Sequence, residues 1–335
     1  VRVADMEELA LTYTKEDAPD KASEKLDQAG VNKDDFNEED LPYIACALDL
    51  GLVTPEDLEQ PLTGQSTADL LYQAAEMGGK GRNYVGRISD SDILGQVRSA
   101  LSSFSLMENP ELVKLGKEIV LQGATTGYGL KYSGYDARFM DEYSLKYGHS
   151  DYVHAAQLIG LLKSEGYDGY VQIEPKMSVY EYLMDWGKPA DPTPTYEVKE
   201  EEKGRYLCYA TEYDMMLEFD TLEQKEKFHD LIETYAKKYD DSLDADGNLI
   251  EPLLSGSWWQ PLYSSHTEVD GFDTLYDNVI YDGTGMYSIH SFSTPDNREK
   301  IQKVVNAEAP DLKVSPEKIY VNPAFYRYIT GSDHQ

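Results

Sequence analysis

The stretch that decides the fold is RYLCYATEYDMMLEFDTLEQKEKFHDLIETYAKKY, residues 205–239. Its first half is rich in apolar and aromatic residues and predicts two strands, and its second half predicts a helix. Thr221 stands at the start of that helix, where a hydroxyl side chain satisfies free backbone N–H groups. The apolar residues that share one face of the helix are Leu222, Phe228, Leu231, Ile232 and Tyr235.

The alternation of strands and helices continues downstream. SWWQPLY (257–263) and NVIYDGTGMYSIHSFS (278–293) predict strands, and the second stretch turns at Asp282-Gly283. A helix over 295–307 and a short strand over 318–321 complete the series. Strand, helix, strand, strand, helix, strand is the order of a ferredoxin-like antiparallel sandwich, which we expect for residues 199–335.

The preceding segment, residues 116–198, mixes a helix with a strand. HSDYVHAAQLIGLLKSEGYDGYVQIEP (149–175) predicts an apolar helix that ends at Gly166 and a strand that begins at Tyr170. A second helix is predicted over 178–186, a loop over 123–134, and a linker over the Pro-rich, charged residues 187–204. We expect an α/β segment here; a single α+β domain spanning 116–335 is the alternative.

Residues 1–115 are predicted to form a helical bundle. In YIACALDLGLV (43–53) a helix ends at Gly51, and Thr54 then caps a short helix with Pro55 at its first position. Thr63 or Ser66 caps a longer helix that reaches Met77. The chain is thus expected to be a multidomain α+β protein, with its helical domain first.

The helix order over 43–77 resembles the S-layer homology repeat, in which a Leu-Thr pair, here Leu62-Thr63, opens the second helix. The resemblance implies that this module attaches a bacterial surface protein to wall polysaccharide. The chain departs from the family after Thr63, where Gly64, Gln65 and Ser66 replace the usual basic and acidic residues. A generic helical bundle is the alternative.

The helix–Gly–strand pattern over 149–175 resembles the core of transglutaminase-like proteins, in which a catalytic Cys opens the helix. The nucleophile position falls at Asp151, between His149 and His154, which makes these three the candidate catalytic residues. A carboxylate at a helix start is typical of an N-cap, not of a nucleophile. The resemblance therefore implies a scaffold that lacks the family's thiol chemistry.

No metal site is predicted. The spacing of His149, Asp151 and His154 does not place all three on one helix face. DADGNL (244–249) has the start of a calcium loop, but Leu253 occupies the position of the final acidic ligand. For ligand binding the candidates are Trp258 and Trp259, whose rings are suited to stacking on sugars.

Composition narrows the classes of partner. The 335 residues carry 62 acidic and 30 basic side chains, a formal net charge of -32, which disfavours nucleic acid. No run of 18 apolar residues exists, so a membrane span is not expected. The first residues, VRVADMEELALTY, predict an amphipathic helix and no signal peptide.

Together these patterns predict a non-enzymatic bacterial cell-surface or secreted protein of the Gram-positive type, extracellular or wall-associated and without a cofactor. Its expected partners are cell-wall polysaccharide or another surface protein. The alternative is a hydrolase related to transglutaminases and cysteine proteases, with an unconventional site near His149, Asp151 and His154.

Overall fold

The computed structural model describes residues 19–149, 151–235 and 262–332. The chain divides into two compact units, Val1–Arg82 and Asn83–Gln335. Trp258, Trp259, the DADGNL segment and the helix expected over 2–12 lie outside the described residues.

The first unit is helical within its described part. Its helices are α1 (Pro19–Gln28), α2 (Leu41–Asp49), α3 (Pro55–Leu58) and α4 (Gly64–Met77). Thr54 and Thr63 are N-caps, and each forms a capping box with the residue three positions later. The caps predicted from the sequence at these two positions are confirmed.

The second unit contains ten strands in its described part. They are β1 (Gly86–Arg87), β2 (Gly127–Tyr132), β3 (Ser144–His149), β4 (Gly169–Tyr182), β5 (Tyr196–Glu202), β6 (Arg205–Phe219), β7 (Leu262–Ser265), β8 (Asp273–Tyr281), β9 (Tyr287–Ser293) and β10 (Val314–Val321). The helices of this unit are α5 (Ile93–Ser102), α6 (Pro110–Leu121), α7 (Tyr152–Ser164), α8 (Leu222–Tyr235), α9 (Arg298–Glu308) and α10 (Pro323–Thr330).

Eight of these strands close into an antiparallel barrel. The ring runs β4, β2, β9, β8, β10, β7, β3, β6, and β6 returns to pair with β4. β1 and β5 lie outside the ring, paired with β4 and β6. The predicted combination of an N-terminal helical bundle, an α/β segment and a ferredoxin-like sandwich is therefore wrong. Residues assigned to 116–198 and to 199–335 supply strands to the same barrel.

Strand length explains the main errors. β6 is one strand of 15 residues where two were predicted. β4 has 14 residues and ends at Tyr182, so it occupies the first part of the helix predicted over 178–186, and a single 3-10 turn over Met184–Trp186 follows. The two strands pair residue for residue from Gly169↔Phe219 to Tyr182↔Tyr206. This long-range pairing satisfies the backbone hydrogen-bonding groups of both strands and overrides their local secondary-structure preferences. β2 and β5 likewise occupy the predicted loop and linker.

Helices cover the outer wall of the barrel with two apolar layers. Around α7, the first layer buries residues such as Leu145, Leu158, Ile173, Leu217 and Phe228. Around α6 and α9, the second layer buries residues such as Leu115, Leu130, Val179, Ile289 and Ile301. The predicted helical face of α8 is confirmed at Phe228 and Ile232, both fully buried, and is wrong at Leu222, which is exposed. The two largest hydrophobic cores of this unit thus lie outside the ring of strands.

Two segments cross the ends of the lumen, meaning the space enclosed by the eight strands. The amphipathic helix α10 packs Phe325 against lumen-facing Leu275, Ile319 and Val321 at one end. At the other end, the connection from β2 to β3 donates the Ala137 backbone N–H to Glu174 and the Met140 N–H to Glu218. No helix in the described part of the chain is both long enough and apolar enough to cross a membrane.

Candidate functional site

The structure brings together the three candidate catalytic residues predicted from the sequence. Asp151 is the N-cap of α7, and its carboxylate accepts the His154 backbone N–H at 2.7 Å. The His149 and His154 rings stack with centroids 3.5 Å apart, and His154 Nε2 lies 2.6 Å from the Tyr147 hydroxyl. Capping therefore occupies Asp151 Oδ1, and the Tyr147 hydroxyl occupies His154 Nε2.

Burial keeps both histidines of this cluster neutral. Desolvation lowers the pKa of His154 to about 3, assisted by the neighbouring His149 and opposed by Asp151. Desolvation also lowers the pKa of His149, again against the attraction of Asp151. The cluster belongs to the outer wall, where α7 packs on the sheet, and the hydrolase function suggested for it stays a prediction.

A different cluster of ionisable groups faces the lumen. Lys131 on β2 bonds Glu174 Oε2 at 2.9 Å and also pairs with Asp214, and Lys176 bonds Asp214 Oδ1 at 2.8 Å. These groups lie on β2, β4 and β6 at inward positions that alternate with outward apolar residues. The barrel therefore encloses a network of charges.

Mutual compensation keeps this network ionised. Burial disfavours the charged form of Lys131, but the carboxylates of Asp214 and Glu174 outweigh burial and raise its pKa. Burial likewise opposes ionisation of Asp214, yet Lys131 and Lys176 hold its pKa well below the ordinary value. Removing one partner would leave a buried charge without compensation.

The second candidate site is a groove on the outer wall, where the connection between α5 and α6 crosses from one apolar layer to the other. Phe104 in this connection packs against the first layer, while Leu106 and Met107 pack against the second. Below the crossing, β6 changes its neighbour from β3 to β5 between Tyr213 and Ala210. A space remains between the crossing chain and the part of β6 where its neighbouring strand changes.

Two adjoining pockets occupy this space, and we call them together the seam groove. They have volumes of about 350 and 260 Å³, and Phe104 lines both. The first is lined by Arg98, Leu101, Ser102, Phe104, Tyr152, Thr195, Thr211, Glu212 and Tyr213. The second is lined by Ser103, Phe104, Ser105, Leu106, Met107, Glu108, Tyr132, Tyr135, Pro175 and Tyr287.

Sequence reasoning missed both sites. Lys131 lies in a stretch predicted to be a loop, and Phe104 lies in a stretch without a recognisable motif. The one signal in the sequence is the pair Tyr132 and Tyr135 at the end of the stretch predicted to be a loop, because aromatic residues in a connection need a surface on which to pack. Within the described residues, no group of three or more His, Cys, Asp or Glu side chains is arranged to hold a metal ion.

Comparisons with known proteins add no relative. No protein-family model, curated protein or solved structure matches the chain. The resemblances to the S-layer homology repeat and to transglutaminase-like proteins therefore stay predictions.

Proposed function

We propose that this chain is a bacterial cell-surface or secreted binding protein, and that its barrel unit binds a saccharide in the seam groove. The observation that carries the proposal is a wall of four aromatic rings that is open to solvent on one side. Phe104 contacts Tyr135 edge-on at 5.4 Å between centroids, Tyr135 contacts Tyr132, and Tyr132 contacts Tyr287. Tyr135, at 36% exposure, presents the most accessible ring of this wall.

Such a wall suits the chemistry of sugars. A pyranose ring has an apolar face that packs on aromatic rings, and a rim of hydroxyl groups that needs hydrogen-bond partners. Tyrosine provides both a flat apolar surface and a hydroxyl, and it loses little conformational entropy on binding. A groove formed by two pockets of this size accommodates two linked sugar units.

Polar groups next to the wall provide the hydrogen bonds. The Arg98 guanidinium lies 4.4 Å from the Tyr152 ring centroid and makes no hydrogen bond or ion pair with the described residues. The buried hydroxyl of Thr211 also lacks a hydrogen-bond partner within that part of the chain. An unpaired donor and an unpaired hydroxyl in a concave aromatic site favour a ligand rich in hydroxyl groups.

Saturation-transfer NMR with the purified full chain tests the proposal, using cellobiose and N,N′-diacetylchitobiose as probes. We expect saturable transfer to at least one disaccharide, and Tyr135→Ala to weaken binding by about tenfold, or about 1.4 kcal/mol. Trp186→Ala is the matched control, because Trp186 is an aromatic residue at 60% exposure that lines neither pocket. Absence of transfer to both disaccharides, or equal loss in the two variants, would contradict the proposal.

The helical unit supports a second role, attachment to the cell wall in the manner of an S-layer homology repeat. In its support, α2, the capped α3 and the capped α4 follow one another in the order of that repeat. α4 also exposes Leu71, Tyr72 and Met77, which are available for contact with a partner.

A sedimentation assay with purified wall polysaccharide tests attachment. We expect the full chain to sediment with the polysaccharide, and Tyr72→Ala to reduce the bound fraction while Tyr135→Ala leaves it unchanged. Recovery of all the protein in the supernatant would rule out attachment through this polymer. Saccharide binding in the seam groove would remain separately testable, because the two variants lie in different units.

A further inference from the structure

Three lumen-facing side chains form a linear hydrogen-bonded relay. Ser288 and His290 are two residues apart on β9, so both point into the lumen, and Asp277 points inward from the neighbouring strand β8. Ser288 Oγ lies 3.0 Å from His290 Nε2, and His290 Nδ1 lies 2.7 Å from Asp277 Oδ2. Hydroxyl, imidazole and carboxylate are therefore hydrogen-bonded in the same order as in a Ser-His-Asp catalytic triad.

The carboxylate sets the tautomer of the imidazole. Burial alone would raise the pKa of Asp277, but the hydrogen bond with His290 and the positive charges of Lys146 and Lys131 lower it, so the carboxylate is ionised. An ionised carboxylate only accepts hydrogen bonds, which places the ring proton of His290 on Nδ1. Nε2 is then free to accept the Ser288 Oγ–H, as a general base does.

Two lumen-facing glycines place no side chain in the lumen. Gly129 on β2 is in register with His290, and a Cβ built there would meet no atom closer than 3.5 Å. A Cβ at Gly148 on β3 would likewise meet nothing closer than 3.5 Å. The His290 side chain retains 17% exposure, so solvent reaches the imidazole.

Two polar groups in the same lumen lack partners. Asp277 Oδ1 is buried and has no hydrogen bond within the described residues. The Lys146 ammonium makes no hydrogen bond or ion pair within that same part of the chain, although its charge acts on Asp277, Asp214 and Glu174. An unpaired ammonium is available to stabilise negative charge that develops on a bound carbonyl oxygen.

We propose that Ser288 is a nucleophile toward small acyl esters that enter the lumen, with His290 as its general base and Asp277 as the residue that positions His290. Ser288 Oγ forms a bond to the ester carbonyl carbon while its proton moves to His290 Nε2. The tetrahedral intermediate expels the alcohol, which takes that proton, and leaves an acyl-serine. Water then attacks the acyl-serine with His290 again as base, and releases the carboxylic acid and free Ser288.

This activity does not depend on the seam groove, because the groove lies on the outer wall and the relay lies in the lumen. It also differs from the hydrolase predicted near His149, Asp151 and His154, which are on the outer wall. The substrate class is limited to short acyl chains, since α10 and the β2–β3 connection cross the two ends of the barrel.

The test is covalent labelling of the full chain with a small alkyl fluorophosphonate, followed by peptide mapping. We expect one phosphonyl adduct on Ser288, no adduct in Ser288→Ala, and labelling at least tenfold slower in His290→Gln. Ser264→Ala is the matched control: Ser264 is a buried serine on β7 and is expected to leave labelling unchanged. Hydrolysis of p-nitrophenyl acetate should follow the same order among the variants.

Peptide mapping of the labelled wild-type chain decides the test even where a variant unfolds. No adduct on the folded wild-type chain, or an adduct on another residue, would overturn the proposal. Equal labelling rates in wild type and a folded His290→Gln variant would overturn it as well, because a serine that reacts without its base is not activated by the relay.

Discussion

The outer wall and the lumen of the barrel are built from the same strands but have opposite chemistry. On β6, the outward residues Met215 and Leu217 are buried under helices. Asp214 lies on the same strand but points inward, where it pairs with the lumen lysines Lys131 and Lys176. The helices provide the apolar cores, so the lumen is not required to supply one. Two of the buried polar atoms that lack a hydrogen-bond partner within the described residues are Asp277 Oδ1 in the lumen and Thr211 Oγ1 in the seam groove.

Asp214 gives the largest expected effect, because its loss removes the partner of two lysines. We expect Asp214→Ala to lower the free energy of unfolding by about 3–5 kcal/mol, since Lys131 and Lys176 would lose their shared counter-charge. Urea unfolding followed by circular dichroism measures the change. A loss below about 1 kcal/mol would mean that the lumen charges are solvated rather than mutually compensated.

Leu158 probes the outer wall in the same way. Leu158 on α7 is fully buried in the first apolar layer, and Leu158→Ala is expected to cost about 3 kcal/mol through lost burial and a residual cavity. Val153→Ala on the same helix is the control, because Val153 is 60% exposed and should change stability by less than about 0.5 kcal/mol. Equal losses in the two variants would contradict the packing of α7.

The outer wall and the lumen are expected to lose their contributions to stability at different pH values. The folded pKa of His154, about 3, is below its unfolded value near 6.5, so the unfolded chain binds the extra proton and stability falls as pH drops. From pH 7 to pH 5 the expected loss is about 2 kcal/mol. The lumen acids Asp214 and Glu174 have lowered folded pKa values, so their contribution is lost only below about pH 4.

Unfolding free energies at pH 7, 6 and 5 check this assignment. In His154→Gln the slope should become clearly smaller, with a remainder from His149, whose pKa is also lowered. An unchanged slope in that variant would place the acid sensitivity elsewhere than in the outer wall.

Asp151 gives the smallest effect. As an N-cap it satisfies the His154 N–H, so Asp151→Ala should cost about 1 kcal/mol, while Asp151→Ser should retain most of the stability because serine also caps. Thermal unfolding of the two variants measures the difference. If Asp151→Ser lost as much stability as Asp151→Ala, the contribution of Asp151 would not be capping.

Local signals in the sequence predicted local structure. Thr54 and Thr63 stand before α3 and α4, and each accepts a backbone N–H as an N-cap. Caps and helical periodicity depend on neighbours within four residues, which a sequence displays directly.

Closure of the barrel depends on contacts that the sequence does not display. The pairing of β4 with β6 joins residues up to 50 positions apart, as in Gly169↔Phe219, and no local signal specifies it. The alternation of charged and apolar residues around Glu174 and Asp214 is that of a strand with one solvent-facing side. This charged side becomes enclosed only when the ring of strands closes, so the lumen could not be predicted from the sequence.

Amine acetylation of the folded full chain, mapped lysine by lysine, tests most directly whether a closed barrel encloses these charges. Lys131 has 7% side-chain exposure and bonds to two carboxylates, whereas Lys227 on α8 has 64% exposure. If the barrel is closed, we expect Lys131 to react at least a hundredfold more slowly than Lys227 in buffer, and at a similar rate in urea. Equal rates in buffer would show that Lys131 faces solvent, and would contradict the charged lumen.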